Sequence, residues 1–178
     1  DNKVYKLCDE ISPYLTDTPV IFLESRSKPI CKVPAMRFGS MPRDDGGFVL
    51  TPEERIELIK SEPLAEKWIK PYIGAAEFLN GKERYCLWLV GADPSEIMKC
   101  PTVKRRVEHV KEARLSSKAE GTRKFAATPT LFCQIAQPDS DYIIVPKTSS
   151  GKRRYIPLGF MDKDTIASDL VFLIPNAG

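Results

Sequence analysis

Basic side chains are concentrated in one stretch of the sequence, from Lys99 to Lys124. Nine cations and three acids lie in it, so its net charge is +6, whereas the whole chain carries +3 and the remainder therefore −3. Lysine and arginine on one helical face are suited to contact nucleic-acid phosphates, which add affinity without sequence preference. The residues to which we assign phosphate contacts in this stretch are Lys104, Arg105, Lys111, Arg114, Arg123 and Lys124.

The spacing of the lysines supports this interpretation but leaves an alternative open. Lys104, Lys111 and Lys118 are seven residues apart, so they follow one helical stripe if the helix reaches the third of them. The alternative is a solvated helix face, as many charge runs are. In that case Lys104 would pair with Glu108 one turn further on.

A second basic cluster lies at a predicted turn near the C-terminus. The run from Lys147 to Arg154 offers four cations and three hydroxyls on an exposed turn. A two-stranded ribbon fits the major groove of DNA, where lysine or arginine reads guanine. We therefore add Lys147 and Arg154 to the phosphate contacts, while a merely solubilising turn is the alternative.

Other kinds of chemistry find little support in the residues. A lone histidine, His109, lies within the basic stretch, and we interpret it as a surface residue because a general base needs an orienting partner and a pocket. The carboxylates Asp17, Glu24, Asp44 and Asp45 lie in separate local settings and are interpreted as solvated or capping groups, not as a metal site. We expect no metal in this chain, because no two cysteines are spaced as zinc ligands.

Composition places the chain among ordinary globular domains. Its 178 residues suffice for one domain with a sizeable core, and we expect residues 1–178 to form a single domain. The five cysteines are unpaired by spacing, which is typical of reduced thiols and of a cytoplasmic protein. Apolar runs such as Leu170–Ile174 are too short to cross a membrane. Because the chain begins at Asp1, we expect it to be a segment of a longer protein.

Proline and capping residues predict where the helices begin. Thr51-Pro52-Glu53-Glu54 has a capping threonine, proline at the first helical position and glutamate three residues after the cap. Ile56 and Ile59, with Leu58 as a further candidate, would face the core from this helix. Asp93-Pro94 repeats the signature for a short helix.

Three further helices follow from proline, glycine and apolar spacing. We predict one over Leu64–Lys70 that Pro71 stops, and a turn of helix over Ala75–Leu79 that ends at Asn80-Gly81. The basic helix should begin at Pro101 and run to about Ser117, and its apolar stripe consists of Val103, Val107 and Val110.

Strands dominate the last third of the chain. Apolar runs predict strands at Val20–Glu24, Gly47–Leu50, Arg84–Val90, Leu131–Ile135, Tyr142–Pro146, Arg154–Phe160 and Leu170–Ile174. Both faces of Arg84–Val90 are apolar, which indicates a buried central strand. The turn 149–152 should join Tyr142–Pro146 to Arg154–Phe160 as a hairpin. The fold class is α+β, with short helices packed on a mixed or antiparallel sheet and a strand-rich C-terminal third.

Several strings, taken in order, resemble the target recognition domain of MmeI-like adenine-specific DNA methyltransferases of restriction–modification systems. The strings are Pro13-Tyr14-Leu15, the run 21–30, Phe38-Gly39-Ser40-Met41-Pro42 with Asp45-Gly46-Gly47, the run 84–89, the run 142–146, the run 154–160 and Ala167-Ser168-Asp169. The likeness covers nearly the whole chain, and the ordered set is specific although each string alone is weak.

The resemblance implies a non-catalytic role for this chain within a larger enzyme. The parent would use S-adenosylmethionine to methylate an adenine within a short asymmetric site, and many relatives also carry a nuclease. The recognition domain would lie in the major groove of double-stranded DNA, opposite an intramolecular methyltransferase domain. Neither the glycine-rich turn nor the Asn/Asp-Pro-Pro-aromatic motif of a catalytic domain is present. By position, the resemblance assigns base readout to Lys118, Gly151, Lys152 and Arg153, although Gly151 has no side chain.

Two other functions remain open at this stage. The basic helix could dock an acidic surface of a protein partner, which would make the chain an interaction or scaffold domain. A stand-alone enzyme is the third hypothesis, and the absence of a coherent nucleophile or metal set weighs against it.

Overall fold

The computed structural model describes residues 4–19, 24–26 and 29–176. The chain divides into two compact units, Asp1–Val33 and Pro34–Gly178. The described residues of the first unit contain a turn in which the Ser12 and Thr16 hydroxyls lie 2.6 Å apart, and they contain neither helix nor strand. All but Glu24 of the strand predicted at Val20–Glu24 lie outside the described residues.

The second unit contains two four-stranded sheets, of which the first is wholly antiparallel. Its strands lie in the order β1, β8, β5, β6. They are β1 (Arg37–Phe38), β5 (Tyr142–Pro146), β6 (Gly159–Met161) and β8 (Val171–Pro175). We refer to it as the antiparallel sheet. Strand β5 confirms the predicted run, and β8 lies one residue later than expected.

The second sheet is mixed and has the order β2, β4, β3, β7. Its strands are β2 (Val49–Leu50), β3 (Ile69–Ile73), β4 (Tyr85–Leu87) and β7 (Ile166–Ala167). Strand β4 lies between β2 and β3, with Cys86 and Leu87 fully buried, so the prediction of a buried central strand is confirmed. Strand β7 joins β3 in parallel.

Five α-helices are seen in the described residues, of which the first four begin where the sequence predicts and the fifth is not predicted by it. They are α1 (Pro52–Ser61), α2 (Ala75–Asn80), α3 (Pro94–Ile97), α4 (Pro101–Leu115) and α5 (Glu120–Lys124), with 3₁₀ turns at Pro63–Trp68 and Phe125–Ala127. Both halves of the capping box of α1 are formed, because the Glu54 N–H donates to the Thr51 hydroxyl and the Glu54 carboxylate accepts from the Thr51 N–H. None of these helices combines the length and apolar character that a membrane crossing needs.

Two predicted elements are wrong. Leu64–Lys70 is not an α-helix: it forms the 3₁₀ turn and the start of β3, and Pro71 lies inside that strand. Proline is tolerated there because β7 pairs only with Tyr72 and Ile73, so no N–H is needed from Pro71 on that side. Leu131–Ile135 makes a single bridge, Met41 to Gln134, instead of a strand.

Other boundaries shift by smaller amounts. The second strand of the hairpin begins at Gly159 and not at Arg154, and the loop before Gly47 contains the short strand β1. On α1 the buried residue is Leu58, whereas Ile56 is 62% exposed. Only Cys86 and Cys100 of the five cysteines are buried.

The core is built mainly between the mixed sheet and the helices. Phe132 lies at its centre, with ring centroids 5.6 Å from Phe48 and 5.0 Å from Trp88. A smaller cluster under the antiparallel sheet contains Tyr142 and Ile144 and packs against Phe78 of α2. The fold class predicted from the sequence, α+β with short helices on mixed and antiparallel sheets, is therefore confirmed.

Candidate nucleic-acid interface

The basic helix α4 buries one stripe and exposes the other. Val103 and Val110 are fully buried and Val107 packs on the core, as the helical spacing predicts. Lys111 is exposed beside this stripe, one helical turn after Val107. Lys104 lies 3.8 Å from Glu108, the pair expected of a solvated face. Such exposed pairs contribute little stability, so Lys104 is still able to meet a phosphate.

Arg114 requires a correction, because it is not placed to contact a phosphate. Its side chain is 1% exposed. The guanidinium donates five hydrogen bonds to backbone carbonyls: Pro42 at 2.8 Å, Arg43 at 3.1 Å, Phe125 at 3.0 Å, Thr128 at 3.1 Å and Leu131 at 2.7 Å. All five donors of the side chain are thereby used inside the fold. Burial lowers the pKa of Arg114 below its ordinary value. Arg114 thus joins three chain segments.

One of these segments is a strained turn that presents Arg43 at the surface. Arg43 and Asp45 have φ values of 45° and 48°, a left-handed conformation that costs such residues roughly 1–2 kcal/mol each. Between them the buried Asp44 accepts hydrogen bonds from the Phe48 N–H at 2.6 Å and the Val49 N–H at 3.2 Å. The capping role expected of Asp44 is confirmed. Arg43 itself is exposed and donates to the Thr122 hydroxyl of α5.

The strained turn lies beside the corner between α4 and α5. Residues 43–45, Ser116, Ser117 and Thr122 line an open cavity of about 370 Å³ at this corner. Lys118 is exposed here, three residues beyond the end of α4 at Leu115, so it does not continue the stripe of Lys104 and Lys111. The helix ends early because the Ser116 hydroxyl donates to the Ala113 carbonyl, which competes with the helical pattern.

Arg123 and Lys124, two more cations of the corner, still have N–H groups available to donate to a ligand. Arg123 is exposed, and its Nη1 donates to the carbonyls of Ser117 at 2.8 Å and Lys118 at 3.0 Å, which fixes the backbone beneath Lys118. Lys124 pairs with Glu120 at 3.1 Å, and both side chains are 74% exposed. This pair is weak in water.

Arg105 lies apart from this corner, whereas His109 lies beside it. Arg105 lines a cavity of about 570 Å³ between α1 and α4, where Lys60 and Arg106 accompany Glu54 and Glu57. The ring of His109 is half exposed, and its Nε2 lies 3.2 Å from the Asp45 carbonyl. The surface role expected of His109 is confirmed.

The second basic cluster lies between β5 and β6, which pair in register from Tyr142 with Met161 to Ile144 with Gly159. The hairpin is therefore present, but its connection runs from Lys147 to Leu158 and is longer than predicted. We call residues 147–158 the basic hairpin loop. Its tip is a turn in which the Arg153 N–H donates to the Ser150 carbonyl and the Lys152 N–H to the Ser150 hydroxyl.

Cations of the basic hairpin loop are free of carboxylate partners among the described residues. None of the ion pairs there includes Lys147, Lys152, Arg153 or Arg154. Two of the four lie over aromatic rings instead. Lys147 Nζ is 4.1 Å from the ring centre of Phe38, and the guanidinium of Arg154 is 5.3 Å from that of Tyr155. Gly151 is exposed at the tip.

The chain itself limits the distance between the two basic clusters. Phe38 lies under Lys147 at the root of the hairpin loop, and Arg43 contacts α5 at the corner. Phe38 and Arg43 are five positions apart, so their Cα atoms are at most about 18 Å apart. One turn of a DNA duplex spans about 34 Å. The root of the hairpin loop and the corner are therefore closer together than one turn of DNA is long.

Sequence reasoning missed Arg43 as a member of this surface. The run Arg43-Asp44-Asp45-Gly46-Gly47 lies in the segment 28–47, which its three prolines and three glycines predict to be a long ordered loop. The signal that could have found it is the pair of glycines after two aspartates, which favours a turn with left-handed residues.

The comparisons with known proteins match almost the whole chain. The family model "MmeI, target recognition domain" matches residues 17–178. The chain belongs to this family. The resemblance inferred from the ordered strings is thereby confirmed, and so is the place of this chain among target recognition domains.

Two relatives of this target recognition domain are similar over nearly its full length. DNA methyltransferase A of Bacillus subtilis (strain 168) is 41% identical over 172 residues, which cover 97% of this chain and 20% of the relative. A solved structure of the Type IIL restriction–modification enzyme MmeI in complex with DNA matches with a TM-score of 0.85 at 45% identity, over 96% of this chain and 23% of the MmeI chain. The target recognition domain thus spans about a fifth of the length of its curated relative.

Proposed function

We propose that this target recognition domain selects the DNA sequence on which a larger restriction–modification enzyme acts. The observation that carries the proposal is the family match over residues 17–178, together with a DNA-bound relative of the same fold. Two exposed basic clusters, one on α4 and its corner and one on the basic hairpin loop, support the proposal.

Both basic clusters would contribute phosphate contacts to DNA binding. Lys104 and Lys111 on α4, with Arg123 and Lys124 at the corner, would bind phosphates and set the register on the duplex. Arg105, which is exposed on α4, would join this set. From the basic hairpin loop, Lys147 and Arg154 would add phosphate contacts at its root and flank.

Base readout is proposed for the residues that project furthest from the scaffold. Lys152 and Arg153 at the tip of the loop, with Lys118 at the corner, present cations without a described carboxylate partner, as guanine readout in the major groove requires. Gly151 would allow close approach of the backbone to a base and would not read one itself.

Methyl transfer is proposed for another part of the parent polypeptide. There, an intramolecular methyltransferase domain would bind S-adenosylmethionine and methylate adenine. Gly39 and Gly47 serve close packing: a Cβ on Gly39 would lie 2.2 Å from the Ser168 carbonyl oxygen, and one on Gly47 would lie 2.4 Å from Val110. We also propose that the parent polypeptide is cytoplasmic, as the sequence leads us to expect.

Neutralising a phosphate contact should weaken binding to every DNA sequence. We expect Lys111→Gln in the parent polypeptide to lower affinity for random duplex DNA roughly five- to tenfold at 0.1 M salt. The slope of log affinity against log salt should fall by about 1. Fluorescence anisotropy across a salt series measures both.

Lys82→Gln is the matched control, because Lys82 is an exposed lysine between α2 and β4 to which no DNA contact is assigned. It should leave affinity and slope unchanged. Equal slopes for Lys111→Gln and the unaltered protein would contradict the phosphate role of α4. Salt-sensitive capture of a protein in place of DNA would favour the docking hypothesis.

A further inference from the structure

The antiparallel sheet has one face on the core and one face away from it. The inner face carries Tyr142, Ile144 and Leu173, which are fully buried, and Met161 packs with them. Side chains alternate along each strand, so the residues between these positions point to the opposite side.

Every position of the outer face is apolar. The strand register places Phe38, Phe172 and Val145 in one row and Ile174, Ile143 and Phe160 in the next. The rings of Phe38 and Phe172 are 5.1 Å apart. At the two edges, Phe38 is 50% exposed and Phe160 is 69% exposed. We call these six residues the outer apolar face.

A sheet that meets water on one face carries polar residues there. In antiparallel sheets this gives alternation of apolar and polar positions, whereas apolar residues on both faces are typical of strands covered on both sides. Contiguous apolar patches of this kind mark sites of association. Among the described residues of Pro34–Gly178, the two edge residues of this face are exposed and the four residues between them are partly buried.

We propose that the outer apolar face docks against another part of the same polypeptide, outside residues 1–178. This proposal rests on the proposed function, in which the domain is part of a longer chain. The relative that is 41% identical over 97% of this chain has about four fifths of its length outside the matched segment, and a parent of similar length would supply the partner surface. Tethering makes such docking intramolecular and raises its effective concentration.

The position of Lys147 defines the limit of the docking surface. Its ammonium group covers Phe38 and lies 5.8 Å from the ring centre of Phe172, at the end of the sheet where the basic hairpin loop begins. The docked surface therefore ends at Lys147. Sheet face and loop then do different tasks: the face fixes the domain to its enzyme, and the loop remains free for DNA.

Photo-crosslinking in the full-length parent, without DNA, tests this proposal. Phe160 is replaced by photoreactive p-benzoylphenylalanine, which keeps an aromatic ring at the exposed edge, and the crosslinked peptides are mapped by mass spectrometry. We expect crosslinks within one polypeptide to residues outside 1–178. The matched control is the same probe at Ile56, which is 62% exposed on α1, and it should crosslink at least fivefold less.

Every other outcome overturns the proposal. Crosslinks to the segment 4–33, crosslinks to a second copy that double the mass, and a yield at Phe160 no higher than at Ile56 each exclude docking on the rest of the chain. A second variant, Phe160→Asp, should speed proteolytic separation of the domain from the parent roughly tenfold, whereas Ile56→Asp should not. The crosslinking experiment contains no DNA, so it tests docking independently of DNA recognition. Intact crosslinks in a parent that does not select a DNA sequence would refute the proposed function and leave the docking proposal standing.

Discussion

Replacing Arg114 with methionine is expected to destabilise the fold by about 3–5 kcal/mol, because each buried polar group left without a partner costs about 1–3 kcal/mol and several are left here. Methionine has similar length but donates no hydrogen bond. The five carbonyls that Arg114 serves, in the segments 42–43, 125–128 and at Leu131, would remain buried without a donor. For a chain of this size the midpoint of thermal unfolding should fall by roughly 10 °C.

Denaturant unfolding of the chain, followed by circular dichroism, measures this loss directly. Lys111→Met on the same helix is the control, because Lys111 is exposed and its replacement should change stability by less than about 0.5 kcal/mol. Arg114→Lys should be intermediate, since lysine keeps the charge but has three donors for five acceptors. A loss of stability below about 1 kcal/mol for Arg114→Met would contradict the role of Arg114 in joining the three chain segments.

Reversing the charge of Arg153 should alter which base pair the parent enzyme prefers. The side chain is exposed at the tip of the basic hairpin loop, so Arg153→Asp should leave stability unchanged. Removing a bidentate arginine–guanine contact costs about 1–3 kcal/mol of discrimination at one position, roughly a tenfold to hundredfold change. Modification rates on duplexes that differ at a single base pair measure this preference.

Comparing Arg153→Asp with Lys111→Gln distinguishes base readout from phosphate binding that has no sequence preference. Lys111→Gln should lower the rates on all duplexes by a common factor, whereas Arg153→Asp should change their ratio. If Arg153→Asp left the site and the rate unchanged, the assignment of base readout to this residue would be wrong.

Local signals in the sequence predicted the local structure well. The capping box at Thr51, the glycine that ends α2 and the run of β5 all depend on a few neighbouring residues, and the structure forms them where expected. The pairing of β5 with β6 also followed from the turn between them. These features need little information from distant parts of the chain.

Features that depend on distant residues were not predictable in the same way. Arg114 shares its residue type and its helix with exposed cations, and only the carbonyls around it reveal its structural role. Strand β3 forms from a segment with a helical pattern because β4 and β7 pair with it. Leu131–Ile135 resembles a strand, yet Arg114 uses the Leu131 carbonyl. In each case tertiary contacts outweigh local propensity.

Exchanging the recognition segment tests directly whether this chain selects the DNA sequence. The 172-residue segment of DNA methyltransferase A that matches this chain would be replaced by this chain in the full-length relative, and the modified sites would be mapped by sequencing of treated DNA. If the chain selects the sequence, the hybrid modifies the sites of this chain's own parent. A hybrid that still modifies the sites of the recipient would show that recognition lies elsewhere and would contradict the account.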